Sequence, residues 1–192
     1  MAKKNEFKPD KLRAGFLSKL YLTRKQRLNI LKWLLYSLLL LLLSVLQDVS
    51  FCRMRFFGAT TDLVPCGIFL ICVLEGMHAG SVFTLCAACF YAFSGTAPGI
   101  YCIALITVLS IFVSYFRQSF LQKGFSATML CMAIALLLYE MTVFAAGILM
   151  SLTTLQRVTI PLVTALLSLL ASAVLYPAVK AIGTIGGETW KE

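Results

Sequence analysis

The sequence predicts an all-α fold: a polytopic integral membrane protein of six transmembrane helices, the second and third forming a short broken hairpin. Three observations predict it. Of the 192 residues, 60% are hydrophobic and only 13% charged, whereas a soluble domain carries roughly 45–50% apolar and about 25% charged residues. The apolar residues fall into runs close to the ~20 residues that a helix needs to cross a bilayer. The charge is lopsided, because residues 1 to 32 hold ten of the seventeen Lys and Arg against Glu6 and Asp10, leaving that segment at +8 and the rest at +1. A basic tail against an apolar helix sets orientation and attracts anionic lipid, and its confinement to one end argues against nucleic acid. The chain divides into a basic cytoplasmic tail (1–29), a membrane domain (30–180) and a cytoplasmic C-terminal tail (181–192).

Within the tail, Leu12, Phe16 and Leu20, with Leu17, Tyr21 and Leu28, recur at roughly helical spacing among Lys and Arg. This suits an amphipathic helix in the cytoplasmic interface; a tail that only sets orientation is the alternative. The first span runs from about Ile30 to Val49, and Gln47-Asp48-Val49-Ser50 is not a signal-peptide cleavage site. Trp33 and Tyr36 stand near its inner end, where amphipathic rings prefer the headgroups, and Lys32 can snorkel. Phe51 to Gly58 alternates, with Arg53 and Arg55 on one side and Met54 and Phe56 on the other, as in an extended segment at the outer surface.

Asp62 to Phe93 is too long for one span, since 32 helical residues would measure about 48 Å against a ~30 Å core. Glu75-Gly76-Met77-His78-Ala79-Gly80 interrupts it. Two short helices follow, about Thr61 to Leu74 and His78 to Phe93, crossing separately or forming a re-entrant hairpin. Ser94-Gly95-Thr96-Ala97-Pro98-Gly99 is a turn. The remaining spans are about Ile100 to Phe116, Ala127 to Met150 and Val158 to Val179, with Pro161 and Pro177 near the ends of the last. Six spans put both termini on one side; with the tail inside, 14 basic residues are cytoplasmic and Arg53, Arg55 and Arg157 are outside, as the positive-inside rule requires.

Catalytic groups are sparse. The outer loops are short, and neither a nucleotide-binding glycine loop nor a nucleophile motif is present, so the chain reads as a non-enzyme without cofactor or metal. Cys86 and Cys89 form a C-x-x-C in an apolar helix with no second pair, which suits packing better than metal or redox chemistry. Glu140, deep in the fifth span, is costly to bury; it reads as a structural carboxyl bonded to another helix or a partner, with a proton or substrate site as the alternative. Glu75 and His78, three apart, suggest a cytoplasmic hairpin rather than a buried pair. Ala165, Ser168 and Ser172, with Ala145, Ala146 and Gly147, are small enough to let helices approach closely.

A basic tail, six spans, Asp62-Leu63 opening the second, the Glu75-Gly76 break with Ala79-Gly80, and the turn from Ser94-Gly95 to Pro98-Gly99-Ile100-Tyr101 together resemble the MreD family of rod shape-determining membrane proteins, over roughly Leu34 to Lys180. The order and spacing of these motifs carry the resemblance. The family often has glycines and an Asp in the third helix ahead of the turn, where this sequence reads Cys86-Ala87-Ala88-Cys89-Phe90-Tyr91, so no role of that Asp passes to this chain. The resemblance implies a scaffold subunit of the bacterial cell-elongation machinery in the plasma membrane, organising peripheral peptidoglycan synthesis. Its partners would be an MreC-like protein and, more widely, an MreB-like actin and RodA with a class B penicillin-binding protein. The family's fold is similar to the substrate-capture subunits of energy-coupling-factor vitamin transporters, the alternative function. Those subunits carry small residues at four-residue spacing on their first helix, whereas Ile30 to Val49 has only Ser37 and Ser44.

Overall fold

The computed structural model describes residues 24–51, 59–95, 97–120 and 124–185. Among these the architecture is helical: α1 (Arg24–Leu46), α2 (Leu63–Glu75), α3 (Met77–Phe93), α4 (Tyr101–Phe120), α5 (Phe125–Leu149) and α6 (Thr159–Gly183). The amphipathic pattern over residues 1 to 23, Arg53 and Arg55, and the tail beyond residue 185 lie outside the described residues.

α2 is the axis of the molecule. Its sequence, LVPCGIFLICVLE, offers no polar stripe to solvent, and a helix apolar on all sides belongs in an interior. All thirteen of its residues are buried, and the other five helices surround it. α1 runs antiparallel to α2, with Lys32 beside Glu75 at one end and Gln47 beside Val64 at the other. From α1 to α6 the helices alternate in direction, so Arg24 and Gly183 share the end of the bundle that holds Glu75. We call the two ends the Glu75 end and the Asp62 end.

The outward faces of the surrounding helices are apolar. Leu34, Leu38 and Leu42 of α1, Val108 and Phe112 of α4, and Leu166, Leu170 and Val174 of α6 are exposed, a surface that water would drive together and hydrocarbon solvates. The helical segments Gln26–Val49, Tyr101–Ser119, Phe125–Leu149 and Leu155–Gly183 are long and apolar enough to cross a membrane. α2 and α3 are apolar but shorter, with 13 and 17 residues, or about 20 and 26 Å.

The helix boundaries refine the sequence reading in three places. α1 is already helical at Arg24, ahead of Ile30, because Arg24 to Asn29 contains helix formers and no breaker, and its α-helical part passes into a π-helical turn, Gln47–Phe51. α4 continues to Phe120 because Arg117 turns into the bundle rather than ending the helix at its surface. α6 passes through Pro177 to Gly183. The break between α2 and α3 is a single residue, Gly76, with φ +89°, a left-handed conformation that glycine alone adopts without strain. Gly80 then lets α3 lie against α2: a Cβ there would stand 3.0 Å from the Cys72 backbone.

Candidate functional site

Buried polar side chains gather at the two ends of α2, where its own terminal N–H and C=O groups need partners. At the Glu75 end, Lys32 Nζ of α1 donates to Glu75 Oε2 at 2.7 Å, and the Tyr36 hydroxyl donates to Oε1 at 2.6 Å. Both oxygens of the carboxylate are thus served by α1. α4 supplies the rest: Ser114 Oγ donates to the Cys72 carbonyl at 3.0 Å, and the Arg117 guanidinium donates to the Val73 carbonyl. A cation on the last carbonyls of a helix also complements its dipole.

This arrangement bears on three expectations and corrects the first two. Lys32 does not snorkel outward; it is 7% exposed and turned inward onto Glu75. Tyr36 is not an interface anchor but lies in the core, tilted against Phe83. Glu75 is buried in an ion pair, and the exposed His78 takes no part in it. The cause is common to all three. A carboxylate at the end of a fully enclosed helix must be neutralised from a neighbouring helix, and α1 presents Lys32 and Tyr36 one turn apart at that level.

At the Asp62 end, the backbone N–H of Asp62 donates to Ser168 Oγ of α6 and that of Val64 to Gln47 Oε1, both at 3.0 Å. Pro65 has no N–H to satisfy. The Asp62 side chain does not cap its own helix; it stands close to the Glu140 carboxyl of α5. Tyr91 of α3 lies near Tyr139 of α5 and Gln47, and the Tyr139 hydroxyl reaches Cys102 Sγ of α4 at 3.9 Å. Each of the six helices, or the turn extending it, contributes to this cluster.

Beside it lies a cavity of about 290 Å³. Pro98, Tyr101, Phe144, Ile160 and Thr164 line it together with Glu140, and the connection between α5 and α6 forms its rim. Glu140 is 7% exposed, and its Oε1 has no hydrogen-bond partner among the described residues.

The structure therefore brings Asp62, Pro98, Tyr101 and Glu140 together and places Glu75, Gly76 and Gly80 at the α2–α3 turn. Gly99 opens α4, its carbonyl accepting from the Cys102 N–H at 3.1 Å. Ala165, Ser168 and Ser172 are buried in the bundle, whereas Ala145 is exposed and Gly147 lines the cavity. Cys86 and Cys89 are free thiols, the former exposed, and no group of His, Cys, Asp and Glu among the described residues could hold a metal ion. Sequence reasoning missed Lys32, Tyr36 and Arg117 as interior groups and Gln47, Tyr91 and Tyr139 as a network. Their one visible signal is a polar side chain within an apolar run, which does not name its partner. Comparison with protein-family models, curated proteins and solved structures finds no match.

Proposed function

We propose that this chain is a non-enzymatic membrane scaffold of the bacterial cell-elongation machinery, an MreD-like subunit that organises peripheral peptidoglycan synthesis. In this reading α2 and α3 cross the membrane with the other four helices, both termini are cytoplasmic, and the Glu75 end faces the cytoplasm. The basic tail rests on anionic lipid, and the outward faces of the helices meet an MreC-like protein and, through it, the wider complex of MreB-like actin, RodA and a class B penicillin-binding protein.

One observation carries the proposal. The segments that bear the resemblance, Asp62-Leu63, Glu75-Gly76 with Gly80, and Pro98 to Tyr101, are those that seat α2 or surround its Asp62 end. Their polar groups are spent largely on holding helices together, as suits a protein whose product is a shape. The cavity beside Glu140 favours a second reading, a substrate-capture subunit of an energy-coupling-factor type vitamin transporter. The lack of Ala or Gly on α1 between Ile30 and Leu46 weighs against it.

Gentle solubilisation of native membranes and capture of the tagged chain separates the two. The scaffold reading expects a bitopic MreC-like protein in the eluate; an ATPase-bearing coupling complex, or a bound vitamin, would replace it with the transporter.

A further inference from the structure

We infer that the cavity beside Glu140 binds a small organic ammonium compound with an apolar body. This goes beyond the scaffold reading and does not depend on it.

The cavity has two unlike parts. Its walls, Pro98, Phe144, Ile160 and Pro161, are apolar, and its polar groups are the Glu140 carboxyl and the hydroxyls of Tyr101, Thr153 and Thr164. No Lys, Arg or His lines it; Arg157, in the exposed connection before α6, stands outside the lining. At about 290 Å³ it sits at the lower end of the ~300–1,000 Å³ range of small-molecule sites.

The chemistry of the floor selects the ligand. The Glu140 carboxyl is the one acidic group on the cavity lining, and no cationic side chain stands with it there. Glu140 Oε1 is left without a hydrogen-bond partner among the described residues, and a buried polar atom in that state is costly. An ammonium group would supply both a donor and a counter-charge that favours the ionised carboxylate, a small shift of the Glu140 side chain exposing Oε1, while the apolar walls take the body of the molecule. An anionic ligand would add like charge, and a neutral alcohol would supply the donor without the charge.

The test is calorimetric titration of the full chain in lipid nanodiscs with phenethylamine, against 2-phenylethanol and phenylacetate of similar shape. Saturable binding of the amine below about 1 mM is expected, with the alcohol and the carboxylate at least about tenfold weaker. Glu140→Gln should weaken the amine by at least about tenfold while leaving the thermal unfolding midpoint in place. Ile160→Trp, which fills the cavity from α6 and leaves both carboxyls intact, should abolish binding. Equal affinity for the alcohol, full binding by either variant, or no saturable heat from the amine would overturn the proposal. So would a result in which the amine fails to bind and Glu140→Gln instead sheds a co-purifying membrane protein, which would give the cavity to a partner's side chain. Cell shape enters none of these readouts, so their failure is distinct from failure of the scaffold reading.

Discussion

Lys32 and Glu75 make the sharpest case at the scale of the residue. A buried ion pair adds little over an apolar pair of the same shape, but removing one partner strands the other, at about 3–5 kcal/mol. Lys32→Met should therefore lower the unfolding free energy in bicelles by roughly 3 kcal/mol. Lys32→Met combined with Glu75→Gln should recover most of that loss, because no charge is then left unpaired. The opposite end brings two carboxyls together, Asp62 and Glu140, from distant stretches of the chain. Glu140→Gln keeps a hydrogen-bonding group toward Asp62 and should leave assembly intact, whereas Glu140→Leu abandons the Asp62 carboxyl and should cost about 1–3 kcal/mol; chromatography with thermal unfolding reads both. These side chains were legible in the sequence as anomalies and illegible as pairs. Lys32 and Glu75 are 43 positions apart, and no periodicity connects residues on different helices.

Elements were easier to read, for a physical reason. Helix length, apolar run and breaker are local properties, so the six helices, the split at Glu75-Gly76 and the turn after Phe93 follow from composition alone. Ends were harder, because a helix end depends on what lies beyond it: Arg117 stays helical since the Val73 carbonyl of α2 receives it. That α2 is the axis could be read from its all-round apolarity. Gly76 and Gly80 fix the α2–α3 unit in different ways. Gly76→Ala meets both the left-handed φ and the Gln118 side chain, whose Nε2 would lie 2.5 Å from the new Cβ. It should cost more than the ~1–2 kcal/mol of backbone strain alone, and adding Gln118→Ala should relieve only the excess. Gly80→Leu should push α3 from α2 and lower the thermal midpoint further than the same substitution at the exposed Gly124, whose backbone is extended, since a Cβ at Gly80 faces the Cys72 backbone and one at Gly124 meets nothing.

For the whole molecule, the arrangement of polar groups about α2 explains how a 13-residue helix can sit within an apolar bundle. Each end is held by neighbours, so its irregular termini are buried in protein rather than exposed to lipid. The six-span reading places the α2–α3 turn in the cytoplasm. A single cysteine at the exposed His78, in a chain whose own cysteines are replaced, should then react with a membrane-impermeant thiol reagent only after permeabilisation, whereas one at Leu152 should react in intact cells. Composition carried the long apolar helices and the charge asymmetry; the site was legible only in fragments, because the groups that form it come from six separate stretches of chain. The central claim, that this bundle is a scaffold for cell elongation, is tested most directly by depleting the protein in its native bacterium and measuring cell width. The account predicts cells that widen and round as the protein is lost; cells that keep their rod shape while losing uptake of a vitamin would contradict it.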